Sequence, residues 1–532
     1  MIHPVTRCAV RAGSYHDSVV LMQLQRALST LPGVIDAGVV MATPANRELL
    51  AAGGLDVGEA GPDDLLVSVK AESDAAAAEA LSRVDALLRV RGGEVSSEFR
   101  PRSLASALKQ LPEARWVLVS VPGRYAAAVA EEALDHDRNV FLYSDNVPID
   151  REAALKRKAH EKGLLVMGPD CGTAFLGGVG FGFANHVRRG TIGLVGASGT
   201  GLQAIMSHVH ALGGGISQAI GTGGRDLSAE VGGITAAQGL DLLRRDPETS
   251  VIVLVAKPPA PEVATRLLSL ARSAGKPVVV HFLGAPLPGR RLGNIFFAAS
   301  LSEAAELAVE QQGDWKETGD RIGGHVCGLF SGGTLAYEAE SGLSAFLTPE
   351  ERTVVDLGAD EFTVGRLHPM IDQDLRLRKL RQEAADPEVG LILLDVVLGE
   401  GAHADPAGEL APVIAEVRAA RNLEVVAIVI GTDEDPQGLT VQIDTLEAAG
   451  ARIFRTVTEA VEWIFLHRKS AVEDLVPVPL EMVQGPVAAV NVGLESFHAS
   501  LLAQGASSIQ MEWRPLAGGN EKLAGILARM KR

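Results

Sequence analysis

Aromatic residues make up only 4% of these 532 residues, and cysteines number three. Cys8, Cys171 and Cys327 stand far apart, with no CxxC spacing and no histidine cluster beside them. That arrangement builds neither a disulfide framework nor a structural zinc site, and no metal is expected. Long hydrophobic runs are also missing. No stretch has the length of a spanning helix, and the opening "MIHPVTRCAVRAG" has no apolar signal core, so the expected setting is cytoplasmic and reducing. Positive charge is in deficit, with 49 Lys and Arg against 66 Asp and Glu and a net charge of −17. This balance argues against nucleic acid and against an anionic membrane as partners. An anionic ligand would have to be held by local devices.

What the chain has is glycine, 58 residues of it, and short apolar runs each followed by a helical stretch. The runs include "RWVLVSVPG" (115–123), "NVFLYSDN" (139–146), "TIGLVGASG" (191–199), "VIVLVAKPP" (251–259), "HVCGLFSGG" (325–333) and "GLILLDVVLG" (390–399). Near-continuous Val, Ile and Leu without polar alternation marks parallel strands covered on both faces. The predicted fold class is therefore α/β, with several doubly wound parallel-sheet domains. A chain this long exceeds one core. Boundaries are expected after the charged "GGEVSSEFRPRS" near 105, near Gly190, at the polar "EQQGDWKETGDRIGG" (310–324), and at the proline-rich segment after 470. Ligands of such sheets sit beyond the carboxyl ends of the strands.

Glycine-dense turns occupy those ends. "GASGTG" holds Ser198, Gly199, Thr200 and Gly201; "GPDCGTAF" holds Gly172 and Thr173; "SGGTLAYEAE" holds Gly332, Gly333 and Thr334; "IGTGGRDLSAEVGG" holds Arg225, Asp226 and Glu230. Unpaired N–H groups and the dipole at a helix start suit phosphate or carboxylate when no side chain blocks the approach. None of these turns is a Walker A loop or a full GxGxxG. One such turn alone reads equally as tight architecture; four within about 170 residues predict an anion-binding cleft.

In this order the motifs resemble the two halves of a succinyl-CoA synthetase joined in one chain, over roughly residues 115 to 465. "GPDCGTAF", "GLVGASGTGLQ" and "IGTGGRDLS" are similar to turns of its α subunit. "VCGLFSGGTLAYEAE", "VVDLGADEF" and "LILLDVVLG" resemble the ligase domain of its β subunit, whose ATP-grasp domain finds no counterpart. The wider resemblance, over almost the whole chain, is to the FdrA family of acyl-CoA synthetase-like proteins. It rests on "DSVVLMQLQRAL" (17–28), "MATPANRELL" (41–50), "KGLLVMGPDCGTA" (162–174), "GGRDLSAEVGGI" (223–234), "TVGRLHPMIDQDLR" (363–376) and "PLAGGN" (515–520). The domains implied are an N-terminal α/β domain (1–105), a CoA-binding-like Rossmann domain (106–190), two flavodoxin-like ligase domains (191–312 and 323–470) and a C-terminal extension (471–532).

The chain departs from the synthetases at their phosphate-relay histidine, where "GRRLGNIFF" puts Asn294, and at its supporting glutamate, where "VLVAKPPAP" puts Lys257. An amide carries no transferable phosphoryl group. The FdrA resemblance implies a subunit of an oxamate carbamoyltransferase of allantoin breakdown. Such an enzyme interconverts oxalurate and phosphate with oxamate and carbamoyl phosphate, and a second protein in a hetero-oligomer is needed. No cofactor is required, and CoA remains compatible. The alternatives are an ADP-forming acyl-CoA ligase subunit and a non-catalytic CoA- or nucleotide-binding scaffold.

The residues expected to grip the anion are Ser198, Gly199, Thr200, Gly201, Gly172, Thr173, Lys257, Gly332, Gly333 and Thr334. Catalytic roles are expected of Arg225, Arg366 and His368, the last polarising a carbonyl or moving a proton. Each has a plainer reading: Ser198 as a helix cap, Arg225 as a partner of Asp226 or Glu230, and "GRLHPMID" (365–372) as a hydrogen-bonded loop. His281, ending an apolar strand, and Cys171, with no histidine tied to it, read chiefly as core residues.

Overall fold

The computed structural model describes residues 4–12, 18–61, 64–90, 100–285, 289–311, 322–468 and 475–514. The charged closing segment over 91–99, the linker over 312–321, residues 471–474 and "PLAGGN" lie outside the described residues, as does Asp17 at the start of "DSVVL". Two compact units are formed, one by 1–129 with 488–503 and 507–532, the other by 130–487 with 504–506.

The first unit opens with a three-stranded antiparallel sheet in which β3 (Leu65–Ala71) lies between β1 (Val5–Arg11) and β2 (Val34–Met41). Leu65, Val67 and Val69 of β3 are buried under Leu21, Leu24 and Leu28 of the helix Ser18–Ser29, while Leu66 packs with Leu50 and Leu55. This N-terminal sheet is antiparallel and carries helices, unlike the parallel sheets farther along the chain. Farther along, β4 (Trp116–Val119) pairs in parallel with Ala488–Val492, which in turn pairs with Ser507–Met511. The last strands of the chain therefore belong with β4.

In the second unit β5 (Asn139–Leu142) pairs in parallel with β6 (Val166–Met167). An eight-stranded sheet follows, built from β7 (Thr173–Leu176), β8 (Val179–Gly182), β9 (Arg189–Ala197), β10 (Ile216–Gly221), β11 (Val251–Ala256), β12 (Val278–Phe282), β13 (Arg291–Leu292) and β14 (Ile295–Phe297). Its order is β13-β14-β12-β11-β9-β10-β7-β8. The five central strands are parallel, and every residue of β10 and β11 is buried. For β11 that is the outcome expected of an uninterrupted Val and Ile run, whereas β10 buries Ser217 and Gln218 as well. β7 and β8, which precede the boundary drawn at 190, belong to this same sheet. A second, wholly parallel sheet comprises β15 (His325–Phe330), β16 (Arg352–Asp356), β17 (Val389–Val397), β18 (Glu424–Ile430) and β19 (Arg452–Phe454), ordered β16-β15-β17-β18-β19. Several mostly parallel α/β sheets are thus present. Among the described residues no helix is long and apolar enough to cross a membrane.

Candidate functional site

Strand register gathers the predicted turns. Ala197 of β9 pairs with Ala256 of β11, and Gly196 with Gly221 of β10, so Ser198, Lys257 and Thr222 emerge side by side at the carboxyl end of the sheet. β7 runs the opposite way, with Phe175 facing Ala219, which brings Thr173 at its start to that same end. A Cβ at Gly221 would meet the Thr173 carbonyl at 2.4 Å and Cys171 Sγ at 2.5 Å, and one at Gly223 the Pro169 carbonyl at 2.3 Å. Glycine is required because backbone closes on backbone here. The Cβ position of Gly199 lies 3.8 Å from Gly172 Cα. Three of the four predicted turns converge.

At their meeting point Ser198 caps the helix Gly199–Ala211, its Oγ accepting from the Gly201 N–H at 3.2 Å. A Cβ on Gly201 would stand 2.8 Å from that Oγ, so the cap itself requires glycine. By helix geometry the Gly199 and Thr200 N–H groups are left without intrahelical partners. Ser198 and Gly199 are half-buried and Thr200 is exposed, so this end is open to solvent. Thr173 Oγ1 lies 3.9 Å from the Cβ position of Gly199. Thr173 is only 1% exposed, yet its hydroxyl has no hydrogen-bond partner among the described residues. A buried hydroxyl left unpaired beside free helix N–H groups fits an oxyanion that has yet to arrive. Exposed Phe183 stands by Gly172 and meets the Tyr143 ring edge-on at 5.5 Å.

Two cations flank these turns. Lys257 is exposed and forms no ion pair among the described residues. Arg225 pairs with neither Asp226 nor Glu230. Its Nη2 donates to the Val147 carbonyl at 2.7 Å and lies 2.8 Å from Glu152 Oε2, while 44% of the side chain stays exposed. Asp226 has other partners: it accepts from the Ala236 N–H at 2.9 Å and from Lys156 Nζ at 2.7 Å. Lys156, Glu152 and Asp226 are all buried, so the 222–226 turn rests on an internal ionic network that the sequence reading did not include.

The fourth turn is a different object. Gly332, Gly333 and Thr334 start the helix Gly333–Ser344 at the carboxyl end of β15, as predicted. The anion there is the chain's own. Asp395 of β17, fully buried, accepts from the Ser331 N–H at 2.7 Å, the Gly332 N–H at 2.8 Å and the Ser331 hydroxyl at 3.0 Å. Buried Arg376 donates to the same carboxylate at 2.7 Å, its own pKa lowered by burial. The expectation that Gly332 binds a ligand anion is corrected: its N–H is already taken. A Cβ on Gly333 would meet a second carboxylate, Asp356 Oδ2, at 2.7 Å. His368 packs over this corner, with Nδ1 accepting from the Met370 N–H at 3.2 Å and Nε2 2.7 Å from the Cβ position of Gly358. Arg366 is exposed, its backbone N–H bonded to Thr363. His368 and Arg366 thus lie in the loop after the short helix Asp360–Thr363, beside the second parallel sheet and apart in the chain's topology from the strands that carry Ser198 and Lys257.

The plainer readings hold elsewhere. His281 is buried with Nδ1 2.8 Å from the Ala298 carbonyl. Cys171 is buried and its thiol is pushed up to about 12, first by burial, which makes it a poor nucleophile. Asn294 turns the β13–β14 hairpin, level with Pro277 at the start of β12, so it lies at the sheet end opposite Ser198. Its amide donates to the carbonyls of Ala271 at 2.9 Å and Lys276 at 2.8 Å. Asp395 was the one omitted residue with a visible signal, a charge inside "LILLDVVLG".

Comparisons with known proteins agree with this architecture. Residues 329–465 match the family model described as CoA-ligase, residues 187–284 the CoA binding domain, and residues 4–101 "AllF, heavy metal-associated domain". The uncharacterized protein YahF of Escherichia coli (strain K12) is 39% identical over 488 residues, 84% of this chain and 95% of that protein. Succinate–CoA ligase [ADP-forming] subunit alpha 1 of Archaeoglobus fulgidus is 30% identical over 213 residues, 38% of this chain and 70% of that one. Among solved structures, the dinucleotide forming acetyl-coenzyme A synthetase 1 of Ca. Korarchaeum cryptofilum is 16% identical with a TM-score of 0.30, covering 66% of this chain and 81% of its own. Fold and motifs define a protein of the acyl-CoA synthetase and succinyl-CoA ligase-like class. Within that class the chain belongs to the FdrA-like family of acyl-CoA synthetase-like proteins.

The described residues of the span that the third family model matches offer no donor set for a metal. Cys8 is the one cysteine in that span, half-buried, its thiol raised by burial and then by Asp56. No group of three or more His, Cys, Asp or Glu side chains among the described residues is placed to hold an ion. The residues described there do not fit a heavy metal.

Proposed function

We propose that this chain is a subunit of an enzyme that handles an activated carbonyl whose leaving group is phosphate, and specifically of a carbamoyltransferase. The reaction interconverts oxalurate and phosphate with oxamate and carbamoyl phosphate. Phosphate oxygen adds to the carbamoyl carbon, the bond from that carbon to the oxamate nitrogen breaks, and that nitrogen takes up a proton. The observation that carries the reading is the convergence of three glycine turns on the unpartnered Thr173 hydroxyl, beside the Ser198 helix start and Lys257. Positioned N–H, hydroxyl and ammonium groups clamp phosphate and stabilise charge developing on it. Asn294, with its amide committed to two carbonyls, supports a transfer that needs no phosphorylated side chain. A second protein completes the active enzyme, no cofactor is required, and the site also accommodates the phosphates of CoA.

An acyl-CoA ligase subunit is the second reading, favoured by the CoA-ligase match and by the succinate–CoA ligase relatives. One assay separates the two. The chain, co-expressed with its partner, is given oxalurate and phosphate, and carbamoyl phosphate is measured; a parallel reaction contains ATP, CoA and succinate. Carbamoyl phosphate in the first supports the proposal. An acyl-CoA product in the second, with none in the first, replaces it by the ligase.

A further inference from the structure

Away from the glycine turns, the helix Pro261–Arg272 and the helix Gly333–Ser344 border a cavity of 670 Å³. This size falls within the roughly 300–1,000 Å³ of small-molecule sites. None of its lining residues belongs to the candidate site described above. Its walls are apolar, formed by Leu268, Val280, Phe282 and Phe297. Most of the polar groups around it are already committed. Thr265 Oγ1 donates to the Ser344 carbonyl at 3.0 Å, and Ser344 Oγ to the Ser341 carbonyl at 2.8 Å. Arg352 gives Nη2 to Glu340 Oε1 at 2.7 Å and another N–H to the Leu347 carbonyl. Glu262 and Glu350 are both exposed at the rim; the Glu350 carboxylate accepts from Thr348 and feels Arg352, and Glu262 makes no ion pair among the described residues.

We propose that this cavity is a second small-molecule site, which takes an organic cation with an apolar body. The walls remove the body from water, at about 25 cal/mol per Å² of apolar area buried. The two carboxylates attract the charged end and repel an anionic one. Among the described lining residues Arg352 is the one guanidinium, and it is committed to Glu340, the Leu347 carbonyl and the neighbourhood of Glu350, so it is poorly placed to receive a carboxylate ligand. A ligand of this class differs from the phosphate-bearing anion of the glycine turns, so the two sites do not compete for one molecule.

Two probes that share a fluorophore test this on the full chain: dansylcadaverine, which ends in an ammonium, and dansylglycine, which ends in a carboxylate. The expected result is saturable binding of one dansylcadaverine per chain, on the order of tenfold tighter than dansylglycine, since each exposed pair adds or subtracts a fraction of a kcal/mol. Ala264→Trp fills the cavity and is expected to abolish binding. Glu262→Lys with Glu350→Lys, both surface changes, is expected to reverse the preference between the probes. Equal affinity for the two probes, no saturable binding, or binding that survives Ala264→Trp overturns the proposal.

Discussion

Thr173 and Asp395 are both buried polar residues at strand ends facing a helix start, and they predict opposite behaviour. The Thr173 hydroxyl has no partner, so Thr173→Val should leave stability unchanged or slightly raised. It should weaken binding of inorganic phosphate by about tenfold, the loss of one hydrogen bond to a charged group, measurable by titration calorimetry. Ser198→Asp should abolish that binding with the fold intact, since it would place at this helix the kind of carboxylate that Asp395 supplies at the other; an unchanged affinity would rule out the site. Asp395→Asn would leave Arg376 buried without its counter-charge, and a loss of about 3–5 kcal/mol is expected in urea unfolding. The two turns look alike in sequence because glycine and hydroxyl residues report only that a cradle exists. What fills it depends on a residue some sixty positions away. Ser198, Lys257 and the Gly172 turn were legible because each borders a strand, whereas the partners of Arg225, the Val147 carbonyl and Glu152, lie far back in the chain, which a local pattern does not reach.

At the scale of elements, continuous apolar runs located β4, β5, β9, β11, β15 and β17, while β10, with Ser217 and Gln218 inside it, fell in none of the runs; Ser, Thr and Asp marked several helix starts. Asp405 is an example: it caps the helix Pro406–Ala420 through the Gly408 N–H at 3.0 Å and also accepts from Gln442 Nε2 at 2.8 Å. The Gln442 bond first, and the Gly408 bond next, hold its carboxyl below the ordinary range. A folded value below the unfolded one stabilises at pH above the ordinary carboxylate value, and that contribution is lost as pH falls through the folded value. Asp405→Ala should therefore cost about 1 kcal/mol near neutrality and progressively less as pH falls below the ordinary carboxylate range, compared by urea midpoints across that pH series. The antiparallel N-terminal sheet was harder to read. Its β3 is short, with Leu65, Val67 and Val69 on one face and Leu66, Ser68 and Lys70 on the other, an alternation that says which face is covered and leaves the strand order to distant partners.

For the whole molecule, the boundary drawn before residue 471 treated the end of the chain as an appendage, although Ala489 pairs with Trp116. Pairing across such a separation leaves no periodic trace in the sequence. Truncation after residue 484 should strip β4 of the strand beside it, exposing the buried Trp116–Val119 edge, and yield insoluble protein on expression. Incubation with labelled ATP should leave the intact chain unlabelled, and Asn294→His should not restore labelling, because that side chain is buried at the sheet end remote from the glycine turns. The Trp116–Ala489 pairing also orders events during synthesis. The edge of β4 that receives Ala488–Val492 stays uncovered until that distant segment has been made, by which time the strands of the two large sheets have all met their neighbours. The unit begun first therefore receives strands from late in the sequence, and in the interval one edge of β4 is open to wrong pairings.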